Sequence, residues 1–230
     1  MWEARSESLD KRNFWSHEPD GSIRPNEVAA MMNLRNCIGA SRSIVKLRCW
    51  ISRLLVSKPP SYRLYLEYCP HGDLFGSWAK WYQLAEVCND HEARDNGDFV
   101  PPYVAEPFIW HLIECMATAG LLLEKGTLEE DQQAVTWEEI LHFDMKASNV
   151  FLASACEDRY RGYPTPKLGD FGLCTFVGRD DKRAPGQIGI CGTTFNRGPE
   201  QVSADLVNGR VPTAKANGKL AHHLKVLELC

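Results

Sequence analysis

The spacing of apolar residues changes from segment to segment along this chain. Residues 1–24 mix polar and charged side chains with no sustained period, which predicts an irregular N-terminal segment. At 26–37, NEVAAMMNLRNC, apolar positions recur at helical spacing directly after Pro25, so a helix is expected. SIVKLRCWIS and SYRLYLEYC alternate and are rich in β-branched and aromatic residues, the pattern of strands. Lys58-Pro59-Pro60-Ser61 between them reads as a turn, which makes the two an antiparallel pair. CPHGDL breaks the second strand, and LFGSWAKWYQLAEVC returns to a helical pattern.

A polar loop at 89–105 precedes the longest helix expected, EPFIWHLIECMATAGLLLEKG. Its Ile109, Leu112, Ile113, Met116, Gly120 and Leu121 fall on one face, the face expected to pack. The acidic loop TLEEDQQAVTWEE leads into LHFDMKASNVFL at 141–152. NVFLA and PKLGD read as short strands around a polar loop, and from Gly172 on the periodicity is weak. A strand-rich first part is thus joined to a helix-rich second part through EYCPHGD, a junction suited to a ligand cleft.

Composition narrows the function classes. A chain of 230 residues is long enough for a sizeable core. The net charge of −4 gives no electrostatic case for a nucleic-acid or acidic-membrane partner. No apolar run approaches the roughly 20 residues that span a bilayer. The N-terminus MWEARSESLDKRNFW has no apolar signal-peptide core, so an intracellular protein is expected. The nine cysteines are odd in number and none is paired as CxxC, which favours reduced thiols over disulfides or a zinc site.

The chemistry concentrates in two short stretches. Phosphoryl transfer needs cations and metal ions against developing phosphate charge, and an acceptor that orients the attacking hydroxyl. Magnesium prefers oxygen ligands, typically carboxylate or amide oxygens beside phosphate and water. In HFDMKASN, Asp144 can orient a hydroxyl and accept its proton, Lys146 can reach the transferred phosphate, and Asn149 can offer an amide oxygen to a metal. In KLGDFGL, Asp170 sits between a strand and flexible glycines, so its carboxylate can turn into a cleft toward a metal. His142 reads as a packing and hydrogen-bonding residue.

These stretches resemble the protein-kinase catalytic loop, H-R-D-x-K-x-x-N, and the DFG metal-binding segment. GTTFNRGPE at 192–200 resembles the end of an activation segment, LEYCPHGDL at 66–74 the hinge, and NEVAAMMNLRNCIGASRSIVKL the αC helix and the following strand. The motifs come in the family's order over about residues 20–200. The resemblance implies an α+β, two-lobed kinase-like fold with an incomplete β-rich N-lobe and a truncated helical C-lobe. It divides the chain into an irregular 1–24, a partial N-lobe at 25–69, a partial C-lobe at 70–203 and an atypical tail at 204–230. It implies ATP and Mg2+ as cofactors, a protein substrate phosphorylated on Ser or Thr, and no nucleic-acid or membrane partner. By residue, Asp144 becomes the catalytic base and Lys146 the γ-phosphate contact, with Asn149 and Asp170 holding magnesium. Leu66 becomes the gatekeeper, Glu67 and Cys69 the adenine-facing hinge, Asp73 a ribose contact, Glu27 the αC glutamate and Thr193 a substrate-positioning residue. Asp73 also reads as a turn residue after Gly72, and Glu27 as a first-turn helix carboxylate.

Several family features have no counterpart here. No glycine-rich loop precedes residue 26, and no VAIK-like strand supplies a lysine for Glu27. Lys11, in LDKRN, stands 16 residues before Glu27 without an apolar strand around it. Phe143 replaces the usual arginine, which argues against control by loop phosphorylation, and Gly198 replaces an alanine. Where a long buried helix is expected after GPEQ, the chain ends in GKLAHHLKVLELC, the pattern of a truncated product or gene model. Two rival expectations follow: a pseudokinase-like binding or scaffold protein, and a nonfunctional fragment.

Overall fold

The structure, a computed structural model, describes residues 15–17, 23–52, 62–80, 104–129, 137–178 and 192–193. Met1–Arg179 forms one compact unit and Asp180–Cys230 another. Lys11, most of the 89–105 and 127–139 loops, Gly198 and the tail at 204–230 lie outside the described residues.

The first unit mixes α and β, with small antiparallel sheets of two strands each. β1 (Trp15–His17) pairs with β2 (Ile23–Pro25), where the sequence pattern shows no element. Strands of three residues are too short for a hydropathy period to register. α1 (Asn26–Arg35) begins directly after Pro25, whose fixed φ of −58° and missing N–H suit a helix start. The short helix α2 (Ala40–Ser43) follows.

The expected hairpin is present as β3 (Leu47–Ser52) against β4 (Tyr62–Leu66), in register from Leu47↔Leu66 to Ser52↔Tyr62 with an irregularity between Leu47 and Cys49. Residues 74–80 are helical. Asp73 caps that helix, its Oδ1 accepting the Gly76 N–H at 2.8 Å.

The long helix α3 (Glu106–Lys125) forms where the pattern predicts, with Pro107 in its first turn. It ends at Gly126, which adopts φ 70°, a left-handed conformation that favours glycine. A Cβ on Gly126 would lie 2.4 Å from the Trp137 ring, so packing demands glycine as well. The buried face is not the expected one. Phe108, His111, Cys115, Ala119 and Leu122 are buried, whereas Ile109, Ile113 and Leu121 are 42%, 50% and 41% exposed. The packed stripe is rotated by about one residue position from the most apolar stripe. α3 packs against β7, α2 and β5, and its His111 stacks on Tyr160 with ring centroids 4.5 Å apart; periodicity alone does not say which stripe such neighbours cover.

β5 (Glu139–Leu141) pairs with β8 (Thr175–Val177), and β6 (Val150–Ala153) with β7 (Thr165–Leu168). One apolar core runs from Val28, Met31 and Leu34 of α1 through Leu47 and Leu64 of the hairpin to Leu122 of α3, Leu168 of β7 and Phe171. A smaller cluster joins Leu74, Phe108, Val150 and Leu152. At about 1.5–3 kcal/mol for each large side chain removed from water, these clusters hold the loop at 142–149 between rigid elements. Among the described residues no helix is long and apolar enough to cross a membrane.

Candidate functional site

The loop between β5 and β6 closes on itself through its own polar groups. A single 3-10 turn, Ala147–Asn149, delivers Asn149 to the start of β6. Asn149 is buried, and its Nδ2 donates to the Asp144 backbone carbonyl at 2.8 Å and to Asp144 Oδ2 at 3.0 Å. Lys146 Nζ reaches the same Oδ2 at 2.7 Å. Asp144 is thus a buried carboxylate whose Oδ2 is held by a cation and an amide together. Three of the predicted site residues meet within hydrogen-bond distance.

The second stretch is tied to the first. The Gly169 N–H donates to the Asn149 carbonyl at 2.9 Å, continuing the β6–β7 ladder by one step. A Cβ on Gly169 would come within 2.8 Å of the Phe151 ring and 3.0 Å of Val45, so this approach needs glycine. His142 bridges the two stretches. Its Nε2 lies 3.0 Å from the Gly169 carbonyl, and its Nδ1 accepts the Asp144 N–H at 3.3 Å. A carbonyl only accepts and an N–H only donates, so this ring is the neutral Nε2–H tautomer. Burial holds its pKa below the ordinary value, against the opposing pull of the Gly169 carbonyl and of Asp170 and Asp144. The fully buried Phe171 packs its ring edgewise on His142, with centroids 4.9 Å apart.

Asp170, between Gly169 and Phe171, is exposed and adopts φ 58°. Phe143, beside Asp144, adopts φ 61°. Left-handed backbone at a non-glycine residue costs on the order of 1 kcal/mol, and such strain concentrates where a side chain must be aimed.

Glu27, in the first turn of α1, is buried, and Tyr62 Oη of β4 donates to its Oε2 at 2.8 Å. Burial lifts the Glu27 carboxyl to about 7; the Tyr62 bond lowers it in part and the Asp170 charge raises it further. Burial, then the Glu27 charge, pushes the Tyr62 hydroxyl well above its ordinary range. The N-terminus of α1 is fastened beside this corner, Asn26 Nδ2 donating to the Cys174 carbonyl at 3.2 Å.

At 66–73, Leu66 is half-buried against the main core. Glu67 exchanges backbone and side-chain contacts with Lys46: its N–H donates to the Lys46 carbonyl at 2.8 Å and its Oε2 accepts the Lys46 N–H at 3.1 Å. Glu67 Oε1 takes Lys167 Nζ at 2.6 Å. Among the described residues, the Glu67 carbonyl and the Cys69 N–H have no hydrogen-bond partner. Burial and then the Glu67 charge push the Cys69 thiol above its ordinary pKa. The turn that follows is fixed to β6, His71 N–H donating to the Leu152 carbonyl at 3.2 Å and Leu152 N–H to the Gly72 carbonyl at 2.8 Å. Asp73 Oδ1 is engaged as a helix cap, the turn role that its position after Gly72 allows.

Thr193 is half-buried and belongs to the second unit. Tyr62 and Lys167 were not expected at the site. The signal for Lys167 lies in TPKL, a strand of four buried residues in which a lysine requires an acidic partner. Tyr62 carries no such signal, since a tyrosine fits any half-buried strand.

Among the described residues no three His, Cys, Asp or Glu side chains converge as a metal cage. The donor set that remains is hard oxygen. Asp170 offers its exposed carboxylate, and Asn149, whose Nδ2 is spent on Asp144, has an Oδ1 that accepts no hydrogen bond among the described residues. Both are hard oxygen donors of the kind magnesium prefers. No family model matches the chain, and no curated protein matches it.

Proposed function

We propose that the chain is a protein-kinase-like phosphotransferase of two-lobed architecture, which moves the γ-phosphate of ATP to a serine or threonine hydroxyl of a protein. The observation that carries this reading is the joining of Asp144, Lys146 and Asn149 in one buried cluster whose next backbone hydrogen bond runs to Gly169, beside Asp170. In this reading Asp144 orients the hydroxyl and accepts its proton. Lys146 both restrains Asp144 and offers positive charge to the phosphate. Asn149 Oδ1 and Asp170 hold magnesium, which supplies charge neutralisation at the phosphates when bound. His142, neutral and fixed at both nitrogens, keeps the two stretches in register and takes no proton. The Glu67 carbonyl and the Cys69 N–H, two residues apart in the chain, offer an acceptor and a donor to an adenine edge.

A second reading, a binding or scaffold protein without turnover, is favoured by one observation. Among the described residues Glu27 meets the Tyr62 hydroxyl rather than a lysine, so the cation expected over the α- and β-phosphates is not provided by this pair.

Thermal unfolding of the purified chain with and without Mg-ATP tests the first reading, beside Asp170→Ala. Asp170 is exposed but sits at φ 58°, which alanine tolerates less well than aspartate, so the variant's shift is read against its own Tm without ligand. A magnesium-dependent rise in Tm that the variant loses is the expected result, about 2.7 kcal/mol at a hundred times Kd. Phosphate incorporation into a protein acceptor then separates the two readings. A cooperative transition that Mg-ATP leaves unmoved overturns the phosphotransferase.

A further inference from the structure

We propose that the cavity between residues 70–80, the start of α3 and β6 is a binding site for a small aromatic carboxylate. Its volume is about 650 Å³, within the roughly 300–1,000 Å³ of small-molecule sites. This inference does not depend on phosphoryl transfer.

The wall is apolar and aromatic. Trp78, Phe108 and Tyr163 line the cavity together with Leu74 and Leu152. Phe108 and Tyr163 form a tilted aromatic pair, at 35° with centroids 6.3 Å apart, against which a further ring can pack. Trp78 is 38% exposed, and a ring laid against it removes apolar surface from water. The wall is also rigid. His71 and Gly72 are bonded to both sides of Leu152, and Ser77 Oγ donates to the His71 carbonyl at 3.3 Å. A site already formed spends little binding energy on ordering.

Charge selects the ligand. Lys80 and His71 line the cavity, and none of the described residues that line it is acidic. Among the described residues the lining thus carries basic groups and no acidic one, in a chain with 30 Asp and Glu against 26 Lys and Arg. An aromatic amine meets repulsion there. A ring bearing a carboxylate fills the apolar wall and sets its charge against Lys80, which stays solvated and loses no hydration on its own account. The site also touches the segment at 66–73, since Pro70, His71 and Gly72 form one side of it.

Isothermal titration of the full chain with naphthalene-2-carboxylate, compared with the neutral naphthalene-2-methanol, tests the proposal. The carboxylate is expected to bind about fivefold tighter than the alcohol, the upper end for an exposed ion pair. Lys80→Glu is expected to abolish or reverse that preference while leaving the alcohol's affinity unchanged. Ser77→Trp, which puts an indole into the cavity, is expected to weaken binding of both. Lys80 is exposed, so Lys80→Glu keeps the fold and carries the test alone should Ser77→Trp not fold. No binding of the carboxylate at about 1 mM, where even a weak −4 kcal/mol site is half filled, overturns the proposal. Equal affinity for the two probes, or a preference that survives Lys80→Glu, overturns it as well.

Discussion

Two groups of buried or half-buried polar residues can be set side by side in this molecule. In the first, His142, Asp144, Lys146 and Asn149 satisfy one another within a span of eight residues. In the second, Glu27 meets Tyr62 across 35 residues and Glu67 meets Lys167 across 100. The first group is built by a turn, so its geometry survives as long as the turn does. The second is built by packing, and each pair holds two elements in place. Losing one partner in the second group therefore leaves a buried polar group, and in the Glu67–Lys167 pair a charge, without its partner, whereas losing one in the first leaves neighbours in the same loop to compensate.

That contrast is open to measurement, beginning with the largest effect. Lys167→Met leaves the Glu67 carboxylate without its cation, and stability is expected to fall by about 3 kcal/mol, as for other broken buried pairs. Adding Glu67→Leu to that variant is expected to restore part of the loss, so a double-mutant cycle in urea shows a coupling well above 1 kcal/mol. Additive effects would show that the pair is no more than a surface contact.

Glu27 gives a pH signature. Its carboxyl is raised by burial from 4.5 to about 7, so the folded chain keeps a proton that the unfolded chain has released. This stability is complete below about 4.5 and is lost as pH rises toward about 7. The loss amounts to about 3 kcal/mol at most, at 1.36 kcal/mol per pH unit. The buried His142 and His111 have lowered pKa values and act in the opposite sense as pH falls, so the difference between the parent and Glu27→Gln isolates the carboxyl. A difference curve flat from acid to neutral pH would sink the assignment.

Asn149→Ala removes two hydrogen bonds from the first group and leaves Asp144 with Lys146. A loss of about 2 kcal/mol is expected, smaller than for Lys167→Met, with the Mg-ATP effect on Tm lost as well. A larger loss than Lys167→Met would reverse the comparison. The smallest effect is expected at Asp73→Ala, where one helix cap is removed at about 1 kcal/mol by chemical denaturation.

The helix α1, the hairpin β3–β4, the β6–β7 pair and the long helix α3 all form where hydropathy and turn residues place them. What failed was orientation. α3 buries Phe108, His111 and Cys115 and leaves Ile109 and Ile113 at 42% and 50% exposed, because the elements that cover it lie against a different stripe from the most apolar one. β1, β2 and β8 are too short to leave a period; β1 and β2 exist through pairing with each other, and β8 through pairing with the distant β5.

The same division runs through the site. The amino-acid sequence by itself determined the first polar group, because residues two to seven apart in a tight turn have few other places to go. It also placed Asp170 directly after Gly169, a glycine that the crowding at Phe151 and Val45 requires. Only the tertiary structure decided that Glu27 would meet a tyrosine, that Lys167 would reach Glu67, and that the carboxylate of Asp73 would cap a helix. Such partners are chosen by which faces pack. Packing depends on volumes and covering elements summed over the whole unit, and no local spacing records them.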